Sequence, residues 1–435
     1  MRILYELYNL SLPSGTGIAT YARNLCKTSK ELGYDIGGLL HTNRRLRLGD
    51  PQSTEAGLFS PPGRRKALVG TTLRRMLGAP FGIPTVRLES DKISVQSEQW
   101  EKRSGGVQDA YVASRYHEMA RLHFQRYGKS ARILLDQPPD IFHTTQVIPL
   151  SVPGAKNIYT IHDLVPLRMP EATTDDKSYF VNMIRYLAQT ADRIVTVSET
   201  SRNDIIGLTG VSPEKVVNTY QAVSIPQDLL EIPTNEVEDI VKSFYDLNYK
   251  DYYLFYGAIE PKKNLSRLID AFVASDTRSP LVVVGGLGWQ YGADLRKIRE
   301  HKSRGYLFDG RHLKEDIRIR RLDYVPLLQL ISLIRGAKAV LFPSLYEGFG
   351  LPVLEAMLLG TPVLTSKGSS LSEVAGDAAV LVDPTDTVDM MRGIRALDGD
   401  AELRAELVGR GQAQSAKFSE QAYAERLTKL YEGLL

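Results

Sequence analysis

Short apolar runs recur along the chain: RILYEL, DIGGLL, IFHTT, NIYTIHD, RIVTVS, YYLFYGAI, LVVVGG, AVLFPS and TPVLTS. Helical patterns separate them over most of the length. Strands spaced by helices build βαβ units, hence parallel sheets with helices on both faces. The series is interrupted at QAVSIPQDLLEIPTNEVED, residues 221–239, where two prolines and a turn to acidic, polar composition mark a linker. The pattern therefore predicts an α/β chain of two doubly wound domains, 1–225 and 226–420. The closing FSEQAYAERLTKLYEGLL is an amphipathic helix, and residues 421–435 are expected to pack back across the domain joint.

Residues 43–85 break the pattern. They are rich in Arg, Gly and Pro, and Pro61 to Met76 holds five basic residues and no acid. This reads as a long basic insertion, taken to extend over about 43–130, with a short basic, apolar helix. Leu68, Val69, Leu73, Met76 and Leu77 interleave the basic residues. The stretch 61–80 has the make-up of a segment that lies on an anionic membrane surface; a solvated loop is the other reading.

Composition narrows the class. A chain of 435 residues holds two or three domains, and 43% hydrophobic with 24% charged residues is the balance of a soluble globular protein. A net charge of +3 gives no indication of nucleic acid. The single cysteine, Cys26, excludes an internal disulfide and fits a reducing, cytoplasmic compartment. The start, MRILYELYNL, reads as a strand, not a signal peptide. No apolar stretch reaches the roughly 18 residues a membrane span needs.

One segment carries the chemistry. In YEGFGLPVLEAMLLGTPVL, from Tyr346 to Leu364, almost everything is apolar or glycine, yet Glu347 and Glu355 stand eight positions apart. It parses as a turn with Gly348 and Gly350, a helix opened by Pro352 and ended by Gly360, and a strand. Glu355 is the one charge on an apolar helix, so it needs a hydrogen-bonding partner. A glycine turn entering a helix N-terminus binds phosphate. Carboxylates repel phosphate, so two beside such a turn are expected to read hydroxyl groups, as a ribose and a sugar offer on either side of a diphosphate. Glu355 capping a backbone group or pairing with an Arg is the structural alternative.

PSLYEGFGLPVLEAMLLGTPVLTS closely resembles the E-x7-E signature of the retaining glycosyltransferases of family 4, which have the GT-B fold: two Rossmann-like domains facing across a cleft. The resemblance extends to SSLSEVAGDAAVLVDPTD, FYGAIEPKKNLSRLIDAF, VVVGGLGW, YTIHDLVPL, VTVSETSRNDI and, more weakly, SGTGIATYARNL. It covers the C-terminal half nearly throughout and the N-terminal half in patches.

The resemblance implies that Glu355 binds the nucleotide ribose and that Glu347 lies beside the donor-sugar hydroxyls. Gly348, Phe349, Gly350 and Leu351 then meet the sugar and diphosphate. Lys263, at the start of the helix NLSRLIDAF, is implied as a diphosphate ligand, with Lys262 the lesser neighbour. Many members carry an Arg where this chain has Ala258, which leaves one phosphate charge to be supplied otherwise. His162 is implied to contact the donor sugar, with Asp163 orienting it or capping the next turn; a structural His–Asp pair is the alternative. His143 and Ser198 are further residues for the cleft, although Ser198 equally suits a helix cap. Gly15 and Gly17 form a glycine-rich turn that lacks the third glycine and the acid of a nicotinamide site; the resemblance places it toward donor and acceptor.

The expected reaction is metal-independent transfer of a sugar with retention. The best match is mannose from GDP-mannose, passed to a saccharide or lipid-linked saccharide in surface polysaccharide (lipopolysaccharide) synthesis. No cofactor is expected. The one D-x-D, Asp398 and Asp400, sits in a turn between helices, where capping explains it. A nucleotide-sugar epimerase, or another GT-B enzyme, would share these motifs, as would a non-catalytic nucleotide-sugar-binding protein. The protein is expected in the cytoplasm, peripheral to the membrane if 61–80 binds it.

Overall fold

The computed structural model describes residues 1–12, 17–44, 46, 54–55, 58, 82–89, 97–173, 176–308 and 313–434. The chain forms two units. One comprises Met1–Leu167, Thr174–Ala222 and Glu420–Leu435; the other comprises Arg168–Thr173 and Val223–Ser419.

The first unit is built on an eight-stranded sheet. Strand Arg2–Glu6 lies between Asp35–Thr42 and Ile141–Thr144, parallel to both. Beyond Asp35–Thr42 the sheet continues with Asp109–Ser114 and, antiparallel at the edge, Val86–Glu89. On the other side follow Lys156–Thr160, Arg193–Thr196 and Val216–Asn218, all parallel. The chain thus winds one way from Arg2–Glu6 and then the other, which puts a topological switch point at the carboxyl end of this strand. Ligands of open α/β sheets bind there. Two apolar clusters, one around Phe142, Tyr111 and Ile133, the other around Ile184, Leu187 and Ile194, fill this unit.

The second unit repeats the logic with six parallel strands. Strand Tyr253–Tyr256 has Leu281–Val284 and then Ile319–Leu322 on one side, Ala339–Phe342, Val363–Ser366 and Val380–Val382 on the other. Its switch point lies between Tyr253–Tyr256 and Ala339–Phe342. The runs YLFY, LVVV and AVLF are buried at every position, as strands covered on both faces must be.

The insertion expected over about 43–130 needs correcting. Strands Val86–Glu89 and Asp109–Ser114 are members of the main sheet, and helix Tyr116–Tyr127 buries Tyr116, Ala120 and Phe124. AYVA is a four-residue apolar run between charged and polar flanks, too short to stand out by periodicity. Residues 61–80 lie outside the described residues. Among those described, no helix is long and apolar enough to cross a membrane.

Helix Glu420–Glu432 belongs to the first unit, although it follows the second in sequence. It buries Tyr423, Leu427, Leu430 and Tyr431. The Tyr431 hydroxyl lies 2.8 Å from His143 Nδ1 and 3.0 Å from the Tyr5 hydroxyl.

Candidate functional site

The switch point of the second unit gathers most of the residues singled out in sequence. After strand Tyr253–Tyr256 the chain turns through Gly257 and a short 3-10 turn, Pro261–Lys263, into helix Leu265–Ser275. Gly257 and Gly285 both adopt backbone conformations suited to glycine: φ is 137° and 157°, and a Cβ on Gly285 would fall 1.9 Å from the Gly257 carbonyl. The turn is fastened to the neighbouring strand's exit. Asn264 donates to the carbonyls of Pro343 (3.1 Å) and Pro384 (2.6 Å), and the Leu345 amide donates to the Lys262 carbonyl (2.8 Å).

This fastening delivers Lys263 to Glu347. The ammonium donates to the carboxylate at 2.6 Å and stands 4.8 Å above the Phe342 ring. The Lys262 ammonium lies 3.7 Å from the other Glu347 oxygen and 3.4 Å from Glu260. Glu347 is buried. Burial pushes its carboxyl up, but the attraction of Lys263 and then Lys262 outweighs that and holds it below the ordinary carboxylate range. Two ammonium groups therefore converge on one carboxylate.

The Glu347 turn is held from behind. The Ser370 hydroxyl lies 2.8 Å from the Glu347 carbonyl and 2.7 Å from that of Phe349, and Phe349 packs edge-on against Phe418. Gly350 has φ 121°, and a Cβ there would meet Leu371 at 2.8 Å, so glycine is required. The helix Leu351–Leu358 starts one residue ahead of Pro352, which still sits in the first turn. Val353, Leu354, Ala356 and Met357 are buried, but Glu355 is half-buried, less enclosed than its apolar neighbours in sequence suggest. Its oxygen lies 3.0 Å from the Tyr256 hydroxyl. Burial raises its pKa above the ordinary carboxylate value.

In the first unit, His162 and Asp163 follow strand Lys156–Thr160 at the carboxyl edge. His162 Nε2 lies 2.8 Å from the Thr145 carbonyl, which only accepts, so Nε2 carries the hydrogen and Nδ1 is left as an acceptor. Burial lowers the imidazole pKa, so the ring is neutral near pH 7. Tyr21 packs edge-on against it at 4.8 Å. Asp163 accepts from the Val165 amide at 3.0 Å, closing the next turn.

Two expected cleft residues are structural. His143 is fully buried, bridging Tyr431 and Thr160 (2.9 Å), its pKa pushed down to about 3 by burial. Ser198 is fully buried and caps helix Glu199–Thr209 by accepting from the Ser201 amide at 3.0 Å. Gly17 opens helix Gly17–Glu31 and has open space on the side where a Cβ would project. Gly15 lies outside the described residues. Asp400 caps helix Ala401–Ala416, while Asp398 bonds Lys338 and Tyr253, each at 3.0 Å. Among the described residues no group of three or more His, Cys, Asp or Glu side chains is placed to hold a metal ion.

Sequence reasoning missed several polar groups. Glu6 ends the first strand at the switch point of its unit. Its carboxylate accepts from the Tyr116 hydroxyl (2.5 Å), the Tyr8 amide (2.9 Å) and Gln146 (3.3 Å). Burial pushes its pKa up to about 7. A lone acid closing RILYE was the available signal. Beside this cluster His117 stacks on Tyr8, ring centres 4.5 Å apart. His117 also lines a cavity of about 360 Å3 with Arg121, Val147, Asp176, Tyr179 and Phe180.

Two doubly wound units with a lysine–glutamate pair at a switch point define a GT-B protein, and solved structures share the whole fold. Anabaena HepE, in complex with UDP and glucose, superposes with a TM-score of 0.66 over 100% of both chains at 14% identity. WaaG, a glycosyltransferase involved in lipopolysaccharide biosynthesis, gives 0.58 over 97% of this chain and 98% of that one at 13% identity. The family model described as Glycosyltransferase Family 4 matches residues 95–225, and that described as Glycosyl transferases group 1 matches 241–414. Both models describe glycosyltransferases, and between them they take in residues of both units. The O-antigen chain mannosyltransferase B of Escherichia coli is 33% identical over 60% of this chain and 66% of its own length. The serotype-specific mannosyltransferase WbdA of Escherichia coli is 28% identical over 72% of this chain, which spans 40% of that longer protein.

Proposed function

We propose that this protein transfers mannose from GDP-mannose to a saccharide or lipid-linked saccharide, with retention and without a metal, in the assembly of a surface polysaccharide. The observation that carries the reading is the convergence of Lys263 and Lys262 on Glu347 at the switch point of the second unit. The two ammonium groups and the first turn of helix Leu351–Leu358 suit a diphosphate. Glu347 then accepts from sugar hydroxyls, and Glu355 reads the ribose. In the first unit, neutral His162 offers Nδ1 as an acceptor to the donor sugar. The 360 Å3 cavity, with Tyr179, Phe180, Arg121 and Asp176, suits one hexose of the acceptor.

In the reaction, the bond from the anomeric carbon to the diphosphate oxygen breaks and its electron pair leaves with GDP. The acceptor hydroxyl oxygen bonds to that carbon on the same face, and its proton passes to the departing phosphate oxygen. Fixed cations stabilise the leaving charge. Lys262 supplies the charge that is absent at Ala258.

A thermal-shift panel of GDP-, UDP- and dTDP-sugars tests the donor, and GDP-mannose is expected to give the largest rise. Transfer to methyl α-mannoside, with NMR of the new linkage, tests retention. An inverted product, or release of a free epimerised sugar without acceptor, would sink the reading. Residues 61–80 are proposed to bind anionic membrane; no co-sedimentation with phosphatidylglycerol vesicles removes that part.

A further inference from the structure

Glu6 closes strand Arg2–Glu6, and its side chain is fully buried. One oxygen, Oε1, collects three hydrogens: from the Tyr116 hydroxyl at 2.5 Å, the Tyr8 amide at 2.9 Å and the Gln146 side chain at 3.3 Å. The donors come from three separate pieces of chain. Tyr8 follows the first strand, Tyr116 opens helix Tyr116–Tyr127, and Gln146 lies in the loop after strand Ile141–Thr144. Each adjoins the lining of the first unit's cavity. His117, next to Tyr116 in sequence, lines it and stacks on the Tyr8 ring; Val147, Ile148 and Pro149, which follow Gln146, line it too.

We propose that Glu6 is a positioning residue for the acceptor: its side chain ties two lining segments of the cavity, His117 and residues 147–149, to the end of the central strand. The consequence rests on the reading that this cavity takes one hexose of the acceptor. Truncating the side chain leaves a hydroxyl, a backbone amide and a side-chain amide short of the oxygen they share, and the segments that carry them lose their common anchor. An amide oxygen at position 6 accepts as the carboxyl oxygen does, so glutamine keeps the anchor. The main chain of Glu6 has a separate task. The Thr145 hydroxyl donates to the Glu6 carbonyl at 2.7 Å, and the Thr145 carbonyl accepts from His162 at 2.8 Å. A change of side chain at position 6 keeps this link, so His162 stays in place. The Glu6 side chain thus serves the acceptor cavity, and the Glu6 carbonyl serves the histidine.

Steady-state transfer from GDP-mannose to methyl α-mannoside separates the two tasks. In Glu6→Ala the acceptor KM is expected to rise about tenfold, with kcat close to that of the wild type. Glu6→Gln is expected to restore the wild-type KM. Thr145→Val removes the hydroxyl that holds the His162 partner, and is expected to lower kcat instead. A purely structural Glu6 would lower the unfolding midpoint and leave the acceptor KM of the folded enzyme unchanged; that result, or an equal KM rise in Glu6→Gln, would overturn the proposal. Should Glu6→Ala not fold, Tyr116→Phe and Gln146→Ala each remove one donor, and an unchanged acceptor KM in both overturns it as well. Amide hydrogen exchange of the unliganded protein needs no acceptor. Glu6→Ala, or Gln146→Ala in its place, is expected to speed exchange at 145–149 and leave 260–265 of the second unit as in the wild type. If the wild type transfers to no mannoside, the acceptor reading falls, and exchange still decides whether Glu6 holds this segment: unaltered exchange at 145–149 means that it does not.

Discussion

At the residue scale, Lys263 and Glu347 neutralise each other. Lys263→Ala removes the nearer cation, leaving Glu347 with Lys262 at 3.7 Å. Its carboxyl pKa should rise toward the ordinary range, and kcat/KM with GDP-mannose should fall about 10²–10³-fold. Steady-state kinetics check this; a loss under threefold would remove Lys263 from the site. Glu6 gives a second expectation. Its folded pKa stands at about 7 against an ordinary 4.5. The folded state holds the proton longer, so the contribution to stability is complete below pH 4.5 and is lost as pH rises to about 7. The loss is on the order of 3 kcal/mol. Glu6→Gln should flatten that decline in the thermal unfolding midpoint measured from pH 4.5 to 8. Glu355 was legible because charge inside an apolar helix is rare, and Glu347 because it stands in the glycine turn that leads into that helix. Tyr256 was not, because nothing in YYLFY says which tyrosine turns its hydroxyl to the site.

At the element scale, the glycine turn, the helix opened near Pro352 and the strand after Gly360 follow from local chemistry that sequence displays directly. The helix bounds differ from expectation by a residue. Asp109–Ser114 was missed because a sheet strand four apolar residues long gains its stability from neighbours far away in sequence. Helix Glu420–Glu432 is likewise anchored by distant partners. Tyr431→Phe leaves His143 Nδ1 and the Tyr5 hydroxyl short of a partner in a buried setting. The expected cost is about 1–3 kcal/mol, read as a lowered unfolding midpoint. Tyr5 keeps Ser29 at 2.6 Å, so a change near zero would mean that His143 finds another acceptor or donor.

At the scale of the whole molecule, each sheet has a carboxyl edge with its own switch point, and each edge carries a different chemistry. The second unit offers ammonium groups, a glycine turn and two acids, suited to a charged nucleotide. The first offers a neutral histidine, aromatic rings and a mixed polar cavity, suited to an uncharged sugar. That division predicts where ligands slow amide hydrogen exchange. GDP should protect 260–265 and 346–356 and leave 145–149 and 176–183 of the first unit unaffected. At a concentration 100-fold above its Kd it should add about 2.7 kcal/mol of stability. Methyl α-mannoside should protect 145–149 and 176–183 instead. Protection of the first-unit segments by GDP alone would mean that the nucleotide is read by the sheet assigned to the acceptor, and the roles of the two edges would have to be exchanged.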